Sequence, residues 1–519
     1  MKVSRNTNSD AGGASSSSTS RLSPALWLIL CGIAMALVFT LAFTLPYSLA
    51  EHGDNPKQTI ASIGQRSFGT AALYLGSYAV LFGLYGLGVW LVCRRAALSS
   101  WPRWQKWLLI LGFGLVFNCV LLPMYPADSS DIYGYIIRGR MSSVYGMNPM
   151  VDVPSQIPED PFYEFASWRS VTSPYGPAWE ALTALTSSIA GDGYVGNVIA
   201  FKAVAVLGFL ITGIAVGLSL EKWAPGRVAV GLLLYAWNPL VICKTGGAGH
   251  NDAVMTAWLL ASVALLLRER YLLATLAATV GALVKFIPLM VVPVIAVLAI
   301  GKLQGRRRWG YLLQAAIFGS LIVVLFHLPF GKGLDLSYFM GGGRMYTATP
   351  VTVGRQLLIP ILDGVDWGSR INATPISNTV VIIAVACVFG LYLMVQLRKV
   401  FRRPSSYFAV HTATKILLFF LLVVAFQFLP WYVLWVIPLA AVLEDSPLRR
   451  AILLFSYTAT FQMFAFSFIT LRPEGWVDIP WRDLIPIAMV MGPVWSYAAW
   501  IWLSRRFNKR TPPGRALAA

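Results

Sequence analysis

Charge is what this sequence has least of. Only 12% of its 519 residues are Asp, Glu, Lys or Arg, about half the share in an ordinary soluble domain. A soluble enzyme is excluded on that ground. A disordered chain is excluded as well, because 57% of the residues are hydrophobic. Acidic residues are scarcer than basic ones, 22 against 41, which leaves a net charge of +19. That excess lies in short links between apolar runs, as in the cytoplasmic loops of membrane proteins, so no nucleic-acid partner is expected. Cysteine is nearly absent. Cys31, Cys93, Cys119, Cys243 and Cys387 show no paired spacing, which argues against a disulfide framework or a cysteine metal site. No cleavable signal is seen either. The first apolar run, Pro24 to Ala50, is too long for a signal core and lacks a small-residue cleavage site, so it is expected to persist as a helix.

What the chain does have is apolar runs of membrane-spanning length, about 20 residues each. Spans are expected at 25–49, 69–92, 107–122, 196–218, 228–243, 250–267, 309–330, 376–397, 451–470 and 484–503. Two further runs, 271–300 and 414–443, are each bracketed by basic clusters: Arg268 and Arg270 with Arg306, Arg307 and Arg308, then Arg402 and Arg403 with Arg449 and Arg450. If both ends of such a run are cytoplasmic, it must go out and return. Each is too short for two full crossings, so each is read as a hairpin of two short helices. The tips fall at Lys285–Pro288 and Pro430–Tyr432, recessed below the outer surface. The fold class is therefore an all-α polytopic membrane protein with about 14 membrane helices, counting both hairpins. Long external loops carry interfacial helices, expected at 131–145 and 177–190. With both termini inside, the cytoplasmic segments hold about two thirds of the Lys and Arg but under a quarter of the Asp and Glu. The expected division is a polar, disordered cytoplasmic tail at 1–24, a membrane-embedded domain at 25–503 with external loops 123–195 and 331–375, and a basic cytoplasmic tail at 504–519.

Unusual polar residues gather at the assigned outer face. Asp128 and Asp131 follow directly on an outward-going helix. On a helix from 131, Asp131, Tyr135 and Arg138 share one face. A partly desolvated carboxylate there has a raised pKa and can take a proton from a hydroxyl. The competing explanation is a helix start, with Asp128 as N-cap. Further along lie Asn148-Pro149, Trp168-Arg169 and Ser173-Pro174-Tyr175-Gly176-Pro177. Aromatic rings with an arginine suit the faces and hydroxyls of a sugar, although such a loop also packs by its own aromatics. A glycine-rich turn then leads into His250-Asn251-Asp252 at a helix start, where free N–H groups face an anion. His250 can donate to a phosphate, and Asn251 and Asp252 can hold hydroxyls. His250 and Asp252 are too few to hold a divalent cation, so no cofactor is expected. Lys285 sits among apolar residues at a hairpin tip, where an anion partner is called for. Arg344, after three glycines, is a second phosphate ligand by its guanidinium geometry. A substrate that satisfies all of this has a lipid tail, a phosphate and a hydroxylated group.

At these residues the chain resembles the glycosyltransferase C superfamily, and within it the bacterial polyprenol-phosphate-mannose-dependent α-1,6-mannosyltransferases. The resemblance is carried by Asp131-Ile132-Tyr133-Gly134-Tyr135 with Gly139-Arg140, Asn148-Pro149, Trp168-Arg169, Pro174-Tyr175-Gly176-Pro177, His250-Asn251-Asp252, Lys285 and Pro430-Trp431-Tyr432. Met150 departs from the tyrosine expected after Asn-Pro. The resemblance implies a polyprenyl-phosphate sugar donor, a glycan or glycolipid acceptor, and a general base in the first long loop, a position that Asp131 matches better than Asp128. Lys285, His250 and Arg344 would take the donor phosphate. Tyr135, Arg138, Trp168, Arg169, Tyr175, Asn251 and Asp252 would take sugar or acceptor. The competing function is a transporter or flippase of a lipid-linked sugar, using the same buried Lys and Asp as a path. The crowding of large loops and odd polar groups at one surface speaks against it. A ligase that moves whole glycans on a similar scaffold is a third reading.

Overall fold

The computed structural model describes residues 23–508 apart from 54, 56–57, 95, 331–346, 364–372, 473–474 and 477–480. Apart from one two-residue antiparallel pairing, Leu471–Arg472 with Gly475–Trp476, its regular elements are helices. Eight of these are long and apolar enough to cross a membrane: Pro24–Thr44, Phe68–Arg94, Arg103–Leu121, Tyr194–Trp223, Gly305–Phe330, Ile376–Arg402, Ser406–Val424 and Pro447–Thr470. Their outward faces carry bare Leu41, Leu108, Leu313, Leu391 and Met394, a surface that only a bilayer solvates cheaply. Among the described residues the long spans number eight, or ten with two bent pairs, and five further apolar helices of 10–17 residues are too short to cross alone; the expected count of about 14 included short hairpin helices as well as spans.

The bent pairs have local causes. Pro225–Ala236 and Pro239–Gly247 meet at 51°. Pro239 ends the first helix, and the Asn238 side chain accepts from Leu240 N–H at 3.1 Å to start the second. Arg482–Val490 and Gly492–Phe507 meet at 47°, where Gly492-Pro493 interrupts the ladder.

Both hairpins are present. The first runs out along Tyr271–Val284, breaks at extended Lys285, and returns along Ile287–Lys302. Its open ends meet, Lys302 lying 3.7 Å from Glu269. The second is closed by the Glu444 N–H donating to the Tyr407 hydroxyl at 3.2 Å. Its outgoing limb begins at Ser406 instead of 414 and is 19 residues long. The polar residues there do not end the helix, because Ser405 caps it and Thr414 donates to the Val410 carbonyl at 2.8 Å.

The Tyr194–Trp223 helix sets the distance between the two ends of the molecule, about 45 Å for its 30 residues. Trp223 packs on Tyr407 at the basic end, while Tyr194 packs on Tyr133 of the long loop. That loop holds two helices, Asp131–Ser143 and Pro177–Ala190. The first is not the surface-lying helix that its mixed composition suggests. Every residue from Ile132 to Met141 is buried, because the second helix covers one side and the loop between them another. Inside it, Arg140 holds Asp160 and Asp192, both at 2.7 Å. The tails 1–24 and 504–519 lie largely outside the described residues; Pro24 and Ser504–Asn508 belong to terminal helices.

Candidate functional site

Asp131 opens the loop helix, its backbone N–H donating to Ser129 Oγ at 3.2 Å. Its side chain keeps a quarter of its surface exposed. Burial pushes its pKa from 3.8 up to about 6 and Asp252 adds to the rise, while Lys285, Ser129 and Arg138 pull it down. His250 Nδ1 stands 3.7 Å from the carboxylate. Asp128 faces elsewhere. It forms an ion pair of 2.6 Å with Lys244, both groups buried. It does not cap the helix: Ser130 is the N-cap residue and makes no side-chain cap bond.

The turn before the Asp252–Leu267 helix is pinned by Gly249, whose φ of +69° suits glycine. His250 is wholly buried and stacks on Trp431 of the second hairpin, 3.9 Å between centroids at 19°. Among the described residues neither ring nitrogen has a hydrogen-bond partner, and the Asn251 amide nitrogen also lacks one. Asn251 Oδ1 accepts from the Tyr135 hydroxyl at 3.3 Å. Asp252 is fully engaged by the two hairpin tips: Lys285 Nζ donates to both its oxygens at 2.8 and 3.0 Å, and Trp435 Nε1 donates at 2.5 Å.

Lys285 therefore sits where the hairpins converge. Its ammonium also faces the rings of Tyr432 at 4.8 Å, Trp435 at 5.6 Å and Tyr175 at 5.9 Å. Tyr175 is delivered by the Pro174–Pro177 turn. The Gly176 N–H donates to the Val284 carbonyl at 3.2 Å, and a Cβ on Gly176 would stand 2.1 Å from the Leu283 carbonyl oxygen. Only glycine lets the loop lie so close to the hairpin. Tyr175 in turn reaches Tyr135, 3.5 Å between hydroxyls.

Asp131, Tyr135, Tyr175, His250, Asn251, Asp252 and Lys285 thus come together from three distant stretches of chain. Other expected residues are spent differently. Arg138 donates to the carbonyls of Gly134 and Val171 at 3.1 and 3.2 Å, tying the loop to its helix. Arg169 holds Glu164 at 2.9 Å and lies over the Tyr163 ring. Trp168 is exposed. Asn148 donates to the Phe330 carbonyl at 2.6 Å and shapes its own turn. Arg344 lies outside the described residues. Among the described residues no group of three or more His, Cys, Asp or Glu could hold a metal ion.

The sequence places Trp431 and Tyr432 at the second hairpin tip but gives them no role, and Trp435 beside them is an ordinary interfacial aromatic by composition. The available signal was their crowding at the break of an apolar run. Glu180 was missed altogether. It is buried and accepts from Ser173 and, at 3.5 Å, from Thr183, and burial raises its pKa to about 7. Lys202, also buried, donates to the carbonyls of Leu121, Leu122 and Met124. It thereby caps the helix end that leads into the site.

The family model described as alpha-(1->6)-mannopyranosyltransferase, N-terminal domain, matches residues 29–301, a stretch that holds Asp131, His250 and Lys285. The alpha-(1->6)-mannopyranosyltransferase A of Mycobacterium tuberculosis is 27% identical over 382 residues, 70% of this chain and 69% of that protein. The proteins A and B of that name from Corynebacterium glutamicum are 26% and 29% identical over 147 and 151 residues. Each of these matches covers 28% of this chain, with 30% and 24% of the relative. No solved structure matches. With more than half its length matched by the family model, the chain belongs to the alpha-(1->6)-mannopyranosyltransferase family of multi-pass membrane glycosyltransferases.

Proposed function

We propose that the protein transfers mannose from a polyprenyl-phosphate donor to a hydroxyl of a glycan or glycolipid acceptor, at the external face of the membrane and with inversion at the anomeric carbon. The observation that carries this reading is the convergence of Asp131, His250 and Lys285 from a loop helix, a helix start and a hairpin tip. Asp131 is the base. A carboxylate with its pKa near 6 is a stronger base than an ordinary one and is still ionised at neutral pH. The acceptor oxygen freed of its proton attacks the anomeric carbon, and the bond to the phosphate oxygen breaks. The leaving polyprenyl phosphate gains a negative charge in that step. Lys285 has one ammonium proton left beyond the two given to Asp252 and meets that charge. Asp252 serves as its fixed counter-ion. No second carboxylic acid is required by this scheme, because phosphate is already a good leaving group and needs charge stabilisation more than a proton.

General-base help is worth roughly 10²–10⁴-fold, so Asp131→Asn should lower kcat by that order with the donor KM nearly unchanged. The assay is transfer of labelled mannose from a synthetic polyprenyl phosphate by the purified protein. Near-normal transfer by the variant would overturn the assignment of the base. Movement of intact lipid-linked sugar across liposomes without transfer would favour a flippase, a reading that the relatives, all named as transferases, do not support.

A further inference from the structure

Trp168 stands apart from the convergent cluster, and its setting is unusual. Its side chain is 58% exposed, and its backbone is left-handed, φ +61°. A bulky residue there is strained, and such strain persists only where the surroundings impose it. Here they do. The neighbouring Ser167 hydroxyl bonds the Ser130 hydroxyl at 2.9 Å. On the far side the Val171 N–H donates to the Trp168 carbonyl at 3.3 Å, and the Val171 carbonyl is held by Arg138. The indole is thus presented to the outside by a fixed turn.

That turn is fastened beside the base. Ser130 precedes Asp131 and Ser167 precedes Trp168, so the two Cα atoms are no more than about 15 Å apart, two peptide steps plus one hydroxyl pair. Trp168 is exposed where His250, Asn251 and Asp252 are wholly buried, so the indole stands outside the buried cluster around the Asp131 carboxylate. A sugar whose hydroxyl meets Asp131 leaves the indole to a ring further along the same chain. The chemistry of the surroundings selects that ring. Exposed Ser155, Gln156, Glu159, Glu164 and Ser170 flank the turn, which suits water and not lipid. The adjoining cation, Arg169, is taken up by Glu164 and the Ala166 carbonyl, which leaves no charge for an anionic headgroup. An indole face with polar neighbours fits the C–H face of a neutral pyranose.

We propose that Trp168 is a stacking platform for a sugar ring of the acceptor, one or more residues back from the hydroxyl that Asp131 activates, so that the enzyme extends an existing oligosaccharide better than it extends a single sugar. The proposal rests on the transferase reading above. Its test uses the purified full chain with alkyl mono- and tetramannosides as acceptors. Trp168→Ala should raise the tetramannoside KM about tenfold or more, with kcat and donor KM within about twofold. Transfer to the monomannoside should not change, and Trp168→Phe should recover most of the loss. Equal losses on both acceptors, or no loss, would overturn it. So would a loss that follows weakened membrane association, the mark of a lipid anchor. Tetramannoside binding by saturation-transfer NMR, without donor, separates the two readings: binding weakened about tenfold in Trp168→Ala supports the platform even if the wild type moves no mannose, and unchanged binding refutes it.

Discussion

At the scale of the residue, Asp131 combines two opposing demands. A base must be ionised, yet its burial disfavours charge. With its pKa near 6, kcat/KM should fall tenfold per pH unit below about 6, where an ordinary carboxylate would fall only below about 4. The same shift bears on stability. The folded carboxyl titrates about two units above its ordinary value of 3.8, so the folded state holds the proton more tightly. Stability therefore falls as pH rises from about 4 to about 6, and the cost above that window is up to about 3 kcal/mol. Asp131→Asn should then melt at a higher temperature than the wild type at pH 7.5 and at a similar one at pH 4, while losing activity throughout. A variant that melts lower at pH 7.5 would mean that the carboxylate is stabilised in the fold, not strained. Lys285 behaves in the opposite way. Lys285→Met leaves Asp252 as a buried unpaired charge, a loss of about 3–5 kcal/mol. Adding Asp252→Asn should restore much of the melting temperature and none of the turnover. Recovery of turnover in the double variant would remove Lys285 from the chemistry.

At the scale of the element, the two hairpins and the loop turn act as one support. The Gly176 approach to Leu283 joins them, and Gly176→Ala must push Tyr175 and the hairpin tip apart. Overpacking of this kind costs about 1–3 kcal/mol. The expected result is a lower melting temperature with a larger loss in kcat than in donor KM; unchanged turnover would show that the contact is incidental. The hairpins themselves were legible in the sequence, because basic clusters on both sides of a run too short for two crossings leave few alternatives. The start of the second was not. Ser406, His411 and Thr412 look like loop residues, yet in the structure they belong to the helix and Thr412 is buried within it. The Asp131–Ser143 helix was misjudged for a related reason. Mixed polarity reads as a surface stripe, but a buried helix can carry arginines when carboxylates such as Asp160 meet them. Asp131, His250 and Lys285 stood out because ionisable groups at apolar boundaries are costly. Trp435 did not, since nothing in its neighbours foretells that its N–H will meet a carboxylate 183 residues away.

At the scale of the whole molecule, sidedness decides which donor the candidate site can meet. The basic links and the candidate site lie at opposite ends of a helix about 45 Å long. Lys302 with Glu269, and Arg268 with the Leu218 carbonyl, mark one end; Tyr133 with Tyr194 marks the other. Positive charge favours the cytoplasmic side, so the basic end is expected inside and the loop end outside, where a donor carrying its sugar on a lipid phosphate would be met. A cysteine scan reads this directly. In a background with Cys93, Cys119 and Cys387, the three exposed native cysteines, replaced by serine, Glu159→Cys should react with a membrane-impermeant maleimide in intact cells. Arg307→Cys should react only after permeabilisation. Both positions are exposed, so the contrast reports side and not burial. The reverse pattern would put Asp131 in the cytoplasm, where a soluble nucleotide sugar becomes the reasonable donor and Lys285 would have to meet a diphosphate instead of a lipid monophosphate.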